Sequence, residues 1–533
     1  MARGQAGRRA PLIALASCCL LMLALAGCRA AQPSTGVRDG VVRLPIPADP
    51  ATLSFSRAHD KWSLVLTELI GDSLIGLDAS LRPVPRIARK WQWSDDHRRL
   101  TFELRKDVLW HDGRRVTSAD VVHTWKLLSG PESSSSAWTP GMAAASRVDA
   151  PDPWTVTVDY DEPYAPALGS WGVPLIPAHR PQDDPQLVGC GPWRFVSWDR
   201  GARIVLEANP GHYAAPRLRR LVFEIIPDRT TQFQALKTGE LDMAGLTPSQ
   251  VRAFRQDAGL NERLAMIEYR ILYYFFIAWR DDGEGGLFHD PRTRQAMTMA
   301  IDRDGLTAIF DELCQTGATA FHPDSWAFDP AVEPWPFDPQ AAGSLLAEMG
   351  WKDIDGDGIL ERDGKDFRFK LAYSLGSAEI ERIATYVQQQ LEAIGVQAVL
   401  DPSEWALFLE RARKTRDYDA LMMGWSLDVD PDAYDLFHSS QRAVGGANYT
   451  QLADPLVDSL IEEGRRSLDR QARREIYSRL QRRLHQLEPQ TVLFYPMSPL
   501  AYDRRLENLE TSPLGPLRFI PGASNWRWSA AGE

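Results

Sequence analysis

Cysteine is scarce in this 533-residue chain: there are five, and three of them, Cys18, Cys19 and Cys28, fall within the first 28 residues. Only Cys190 and Cys314 remain beyond that point. They could form one disulfide, but nothing in their spacing brings them within bonding distance, and we read them as free buried thiols. There is no Cys-x-x-Cys pair and no His/Cys cluster with zinc spacing, so a structural zinc site is excluded and no metal is expected. No Gly-x-Ser-x-Gly elbow, His-Glu-x-x-His or phosphate loop occurs, which removes the common hydrolase and nucleotide-cofactor signatures; no cofactor is expected. A basic stripe is also missing. The 60 basic side chains are outnumbered by 71 acidic ones, a poor balance for nucleic-acid binding. Beyond residue 28 no stretch approaches the ~20 apolar residues a transmembrane helix needs. Internal repeats are absent too.

What is present begins at the N-terminus. Arg3, Arg8 and Arg9 form a positive segment without an acidic residue, and Pro11 to Ala26 is apolar but too short to span a bilayer. The chain then reads Leu25-Ala26-Gly27-Cys28, which is similar to the bacterial lipobox. That resemblance implies cleavage after residue 27, a diacylglyceryl group on Cys28 and anchoring at an extracytoplasmic membrane face, with residues 28–40 as lipidated end and tether. Losing the three arginines leaves 57 basic against 71 acidic side chains, a balance of −14. A mature chain of this length exceeds what one core supports, so several domains are expected. Its 18 tryptophans suit both cores and a ligand cleft.

Val41 to Ile46 reads as a first strand. Thr101 to Arg105 alternates with period two, His111-Asp112-Gly113 supplies a tight turn, and Thr117 is placed to cap a helix through Trp125. Gly130 to Asp152, rich in Ser, Pro and Ala, reads as a surface loop. From about residue 290 strands and amphipathic helices alternate. Asp290 and Pro291 open one helix. Phe367–Leu371, a helix capped by Ser377 and stopped by Gly395, Val396–Leu400, a helix over Glu404–Lys414 and a strand Tyr418–Met423 form a β-α-β-α-β unit, half of a doubly wound α/β sheet. A helix over Arg470–Leu487 leads into a strand at Val492–Tyr495.

Six strings in a fixed order carry a family resemblance. They are Pro85–Trp91 with Ser94-Asp95-Asp96; Phe102–Val108 with Trp110–Gly113 and Thr117–Val121; Gly189-Cys190-Gly191-Pro192-Trp193; Asn209–Tyr213; Gly239–Asp242; and Arg294–Ala296 with Ala300–Arg303. Together they resemble the family 5 extracellular solute-binding proteins, typified by oligopeptide- and dipeptide-binding receptors of ABC importers. Cys190 stands where that family usually has threonine. The resemblance implies an α/β, two-lobed clamshell of the periplasmic-binding-protein kind with an extra inserted domain (type II, class C-like). Residues 41–74, 189–281 and 495–533 would form a discontinuous first lobe, 75–188 its inserted domain and 282–494 the second lobe, hinged by two crossover strands. It further implies a monomer that delivers a peptide to a permease and ATPase complex and catalyses nothing.

Candidate ligand contacts cluster after the strand Tyr418–Met423, at Gly424-Trp425-Ser426-Leu427-Asp428-Val429-Asp430-Pro431-Asp432. In open α/β sheets ligands bind beyond the carboxyl ends of strands. Within the resemblance, Asp428 matches the aspartate that pairs with a peptide's α-ammonium, against a bare turn-or-cap role on a solvated loop, and Trp425 matches a tryptophan that is either a wall of the pocket or part of the core. Asp430 and Asp432 read as turn or cap residues. Asp60, Lys61 and Trp62 fall where the opposite lobe contributes contacts. The same fold also serves receptors for oligosaccharides, nickel complexes or opines, and a neutral, Trp-rich cleft would favour sugar where Asp428 favours an amine. A remoter alternative, a secreted hydrolase using paired carboxylates among Asp428, Asp430, Asp432 and Asp435, has no supporting motif. Asp353-Ile354-Asp355-Gly356-Asp357-Gly358 imitates a calcium loop, but Gly364 stands where the twelfth-position glutamate belongs, so we read it as an Asp/Gly turn. Tyr273 to Arg280 departs from the family, which often has asparagine before the second lobe.

Overall fold

The computed structural model describes residues 39–130, 138–181 and 186–529. Cys28, the segment before it and most of the proposed tether lie outside the described residues. No helix among them is long and apolar enough to cross a membrane.

Two lobes are built on separate sheets and joined by long strands. In the first lobe Val41–Ile46 pairs in parallel with Arg220–Ile225, which continues antiparallel to Arg203–Ala208 and Trp193–Asp199. A second four-stranded antiparallel sheet, in the order Ala88–Trp93, Arg99–Leu104, Thr155–Asp159, Arg147–Asp152, packs into the same core through Leu100, Phe102, Val156 and Val158. The chain's end returns here: Arg527–Trp528 pairs with Leu506–Glu507, and the Trp528 indole N–H donates to the Val41 carbonyl (3.0 Å). The stretch read as a loop between Gly130 and Asp152 instead ends in a short helix, Thr139–Ala143, and the strand Arg147–Asp152. Its polar composition hid the strand because this is an outer strand of the sheet that buries one side chain, Val148.

The second lobe is a mixed sheet covered on both faces. Arg368–Ser374, Gln397–Ser403 and Ala420–Ser426 run parallel, with Arg368–Ser374 in the middle. Tyr273–Trp279 lies antiparallel beside Ala420–Ser426 and is central, which explains its unbroken apolar run. Phe275, Ile277 and Trp279 enter one core with Ala296, Met297, Ile383 and Val387 from the helices Pro291–Ala300 and Ala378–Glu392. Tyr274, Phe276 and Ala278 enter the opposite core with Val457, Leu460, Ile476 and Leu480 from Pro455–Arg466 and Arg470–Leu487. Gly395, at φ +77°, ends the chain's turn out of Ala378–Glu392 in the left-handed region that favours glycine.

The long strand Gln490–Asp503 belongs to both lobes. Its first half pairs with Tyr273–Trp279 and with Cys314–Thr316, and its second half with Leu264–Arg270 and Met243–Gly245. Two antiparallel crossings, 264–279 and 490–503, therefore connect the lobes. The partner strand breaks at Ile271-Leu272, between its two paired stretches. Cys190 and Cys314 are buried free thiols.

Candidate ligand-binding site

The site grows from the carboxyl end of Ala420–Ser426. Gly424 lets the Tyr273 side chain lie across this strand, because a Cβ there would overlap the tyrosine hydroxyl. The chain then leaves the sheet at Leu427, whose N–H donates to the Leu272 carbonyl at the crossover (2.9 Å). This bond fixes the aspartate-rich loop to the hinge. The loop, with Leu272, Phe321, His322, Trp326 and Trp425, lines a cleft holding about 740 Å³ of empty space, part of it open to solvent. Ser80 and Leu81 close it from the other lobe.

The four carboxylates of this loop have unequal surroundings. Asp430 makes a two-pronged ion pair with Arg473, at 2.7 and 2.9 Å. Asp432 accepts from the Tyr434 N–H (3.1 Å) and pairs with Arg465 (3.1 Å). Burial still pushes Asp432 up to about 6, the nearby Arg465 only partly opposing it. Asp428 and Asp435 have no ion pair among the described residues. Asp428 keeps access to solvent at the cleft surface yet is crowded by protein. That crowding, then the charges of Asp435 and Asp430, raises its pKa above the ordinary carboxylate value. Trp425 is half-buried, lining the cleft while its ring meets Tyr449 edge-on at 6.0 Å.

On the other lobe, Asp60 caps the helix Lys61–Ile70, accepting from the Trp62 and Ser63 N–H groups at 3.1 and 3.0 Å. Its carboxylate is thereby committed to its own helix and to the Ala51 N–H (3.2 Å). Trp62 packs edge-on against Phe223 at 6.4 Å, so much of the ring serves the core. Lys61 is exposed, with its ammonium 5.6 Å from the Trp62 ring; surrounding protein, Arg229 and Arg518 lower its pKa. None of these three side chains lines the cleft around Asp428.

The lobes touch beside the cleft. The Ala165 N–H donates to the Arg465 carbonyl (2.7 Å), and Arg466 pairs with Glu162 (2.9 Å). The Arg465 guanidinium lies 4.1 Å from the Tyr434 ring centre and 5.5 Å from that of Tyr164. It links Asp432 in one lobe to an aromatic ring in the other. The calcium-like loop lies elsewhere: Asp353, Asp355 and Glu361 gather their oxygens within 4.8 Å, with acceptor atoms turned to the loop's own N–H groups.

The family profile of bacterial extracellular solute-binding proteins, family 5 (middle region), matches residues 82–447. The chain belongs to this family. As a family 5 protein it is 29% identical over 504 residues to the oligopeptide-binding protein AppA of Bacillus subtilis, covering 90% of each chain. It is 24% identical over 510 residues to the dipeptide-binding protein of Escherichia coli, covering 88% of this chain and 91% of that one. The structure of B. subtilis AppA in complex with a nonapeptide superposes with a TM-score of 0.74 at 25% identity, over 92% of this chain and 99% of that one. NikZ of Campylobacter jejuni, in complex with Ni(L-His), shares the fold at a TM-score of 0.76 and 23% identity, over 92% and 100% of the two chains. The two-lobed clamshell and a solute-binding role in the extracytoplasmic space follow from this membership.

Sequence reasoning missed Leu81, His322, Trp326 and Arg465. Leu81 and Leu427 are hundreds of residues apart and line one cleft only in the folded chain. The sole signal for Arg465 was its place in the last turn of an amphipathic helix, where a cation also suits the helix dipole.

Proposed function

We propose that this family 5 protein is the lipid-anchored receptor of an ABC importer and closes around a peptide with a free amino terminus. The observation that carries the reading is Asp428. Its carboxylate lacks a cation among the described residues, follows the carboxyl end of a parallel strand that carries Trp425, and faces a cleft bounded by both lobes. A ligand ammonium supplies the missing charge, and closure strengthens the charge-assisted hydrogen bond by removing water. The peptides and peptide-binding names among its relatives point the same way. Trp425 forms a wall of the pocket. On the opposite lobe Lys61 and Trp62 are assigned to the more distant contacts, and Asp60 positions them by capping their helix. Cys28 carries the acyl chains that hold the body at the membrane and near the permease and ATPase complex.

Native mass spectrometry of the mature protein with equal amounts of free and N-acetylated tetrapeptides of one sequence tests the ligand class. The free form should be retained and the acetylated form lost. Equal retention, or none of either across a varied peptide mixture, refutes the reading. For the anchor, a fatty-acid analogue should label the wild type and not Cys28→Ser; equal labelling refutes it.

A further inference from the structure

A second cavity adjoins the cleft. It contains about 890 Å³ of empty space open to solvent and is lined by Pro323, Ser325, Trp326, Phe328, Pro330 and the start of the helix Arg470–Leu487. Ser325 and Trp326 line the ligand cleft as well, so the two spaces share a wall. Trp326 has Arg470 and Arg473 each 5.1 Å from its ring centre. Arg473 is occupied: it holds Asp430, two residues from Asp428 in the chain. Arg470 and Arg474 have no carboxylate partner among the described residues, although Arg479, Arg482 and Arg483 of the same helix each have one. Nor does the position of Arg470 serve the helix, because a cation in the first turn opposes the helix dipole.

We propose that the ligand cleft continues past Trp326 into an anion subsite, in which Arg470 and Arg474 receive a carboxylate of the bound ligand. Each guanidinium presents a planar fork of N–H donors that matches a carboxylate, the two residues stand one helical turn apart, and the Trp, Phe and Pro walls cover the aliphatic chain leading to it. The cleft is then bipolar, negative at Asp428 and positive at Arg470 and Arg474, and it selects peptides that carry an anion away from the amino terminus. This rests on the peptide reading for the identity of the anion: either the carboxyl terminus or an acidic side chain.

Isothermal titration with three peptides of one sequence tests it: a free acid, its C-terminal amide, and the amide with one internal Gln replaced by Glu. The wild type should bind at least one anionic form roughly tenfold more tightly than the neutral amide, consistent with one charge-assisted contact. The form that gains identifies the carboxylate's source. Arg470→Gln with Arg474→Gln should erase the advantage and leave the amide's affinity unchanged, and the corresponding lysine pair should recover part of it. No preference in the wild type, or a preference that survives the glutamine pair, overturns the proposal. N-acetylglutamate, which lacks an ammonium, separates the two readings through the Trp326 indole N–H resonance, assigned by its loss in Trp326→Phe. An arginine-dependent shift, with free and N-acetylated acids bound equally, would leave the anion subsite standing and sink the amino-terminus reading. Ammonium-dependent binding without preference for the acid would do the reverse.

Discussion

Replacing Asp428 by asparagine keeps the shape of the side chain and removes its charge. Asp430 and Asp432 are already paired with Arg473 and Arg465, so the uncompensated negative charge of the loop resides on Asp428 and Asp435. An ammonium about 4 Å from Asp428 gains about 4 kcal/mol at an effective dielectric near 20. Part of that returns in the variant, since asparagine is cheaper to desolvate than a carboxylate. A net loss of about 2–3 kcal/mol remains, roughly thirty- to two-hundredfold in affinity. N-acetylating the peptide should cost the wild type a similar amount, and the two losses should not add, because both delete the same interaction. Titrating both proteins with both peptides completes the cycle. The pH dependence has a definite sign. An ammonium binds the ionised form, and burial with its acidic neighbours raises the pKa of ligand-free Asp428. Wild-type affinity should therefore fall as pH drops through that raised value, starting in milder acid than an ordinary aspartate would require. Asp428→Asn should lack this fall. Additive losses, or wild-type affinity in the variant, would refute the reasoning.

Three further outcomes follow from the same geometry. Glu488 is buried against Thr298 and Trp335, and burial pushes it up to about 8 from an ordinary 4.5 despite Arg303 and Arg294 nearby. The folded state holds a proton there that the unfolded chain releases, so its contribution to stability is complete below about pH 4.5 and is lost as pH rises through about 8; Glu488→Gln should flatten that decline in urea unfolding. Arg473→Ala leaves the Asp430 carboxylate without its partner and should cost about 3–5 kcal/mol in the same assay. Arg465→Met removes the guanidinium between Asp432 and Tyr164, so small-angle scattering at saturating ligand should show a larger radius of gyration than wild type; an unchanged radius would mean that this contact does not hold the lobes together.

Much of the fold was legible because the local signals agree with one another. Asp290 with Pro291, Ser377 with Gly395, and the period of Arg470–Leu487 mark helices whose ends the structure places within a residue or two. The strand expected over Tyr418–Met423 lies at Ala420–Ser426 instead: Gly424 looks like its end, but the glycine makes room for Tyr273, and pairing continues to Ser426. Gln490–Asp503 was also longer than its apolar core suggested, because its second half crosses the hinge with Pro496 and Pro499 in it. At the site, motif order led to Asp428 and Trp425, but charge neutralisation was not readable. Nothing local tells that Asp430 meets Arg473 while Asp428 meets no cation among the described residues. Such differences arise from contacts between segments that only the folded chain brings together.

The central claim, that the cleft holds a peptide through its amino terminus, is tested most directly by what the protein carries from its host. Tagless mature protein, purified without denaturation and released into acid, should yield on mass spectrometry a set of peptides with free α-amino groups, absent from a parallel preparation of Asp428→Asn. An oligosaccharide, an opine or a metal chelate in stoichiometric amount, present equally in both preparations, would contradict it.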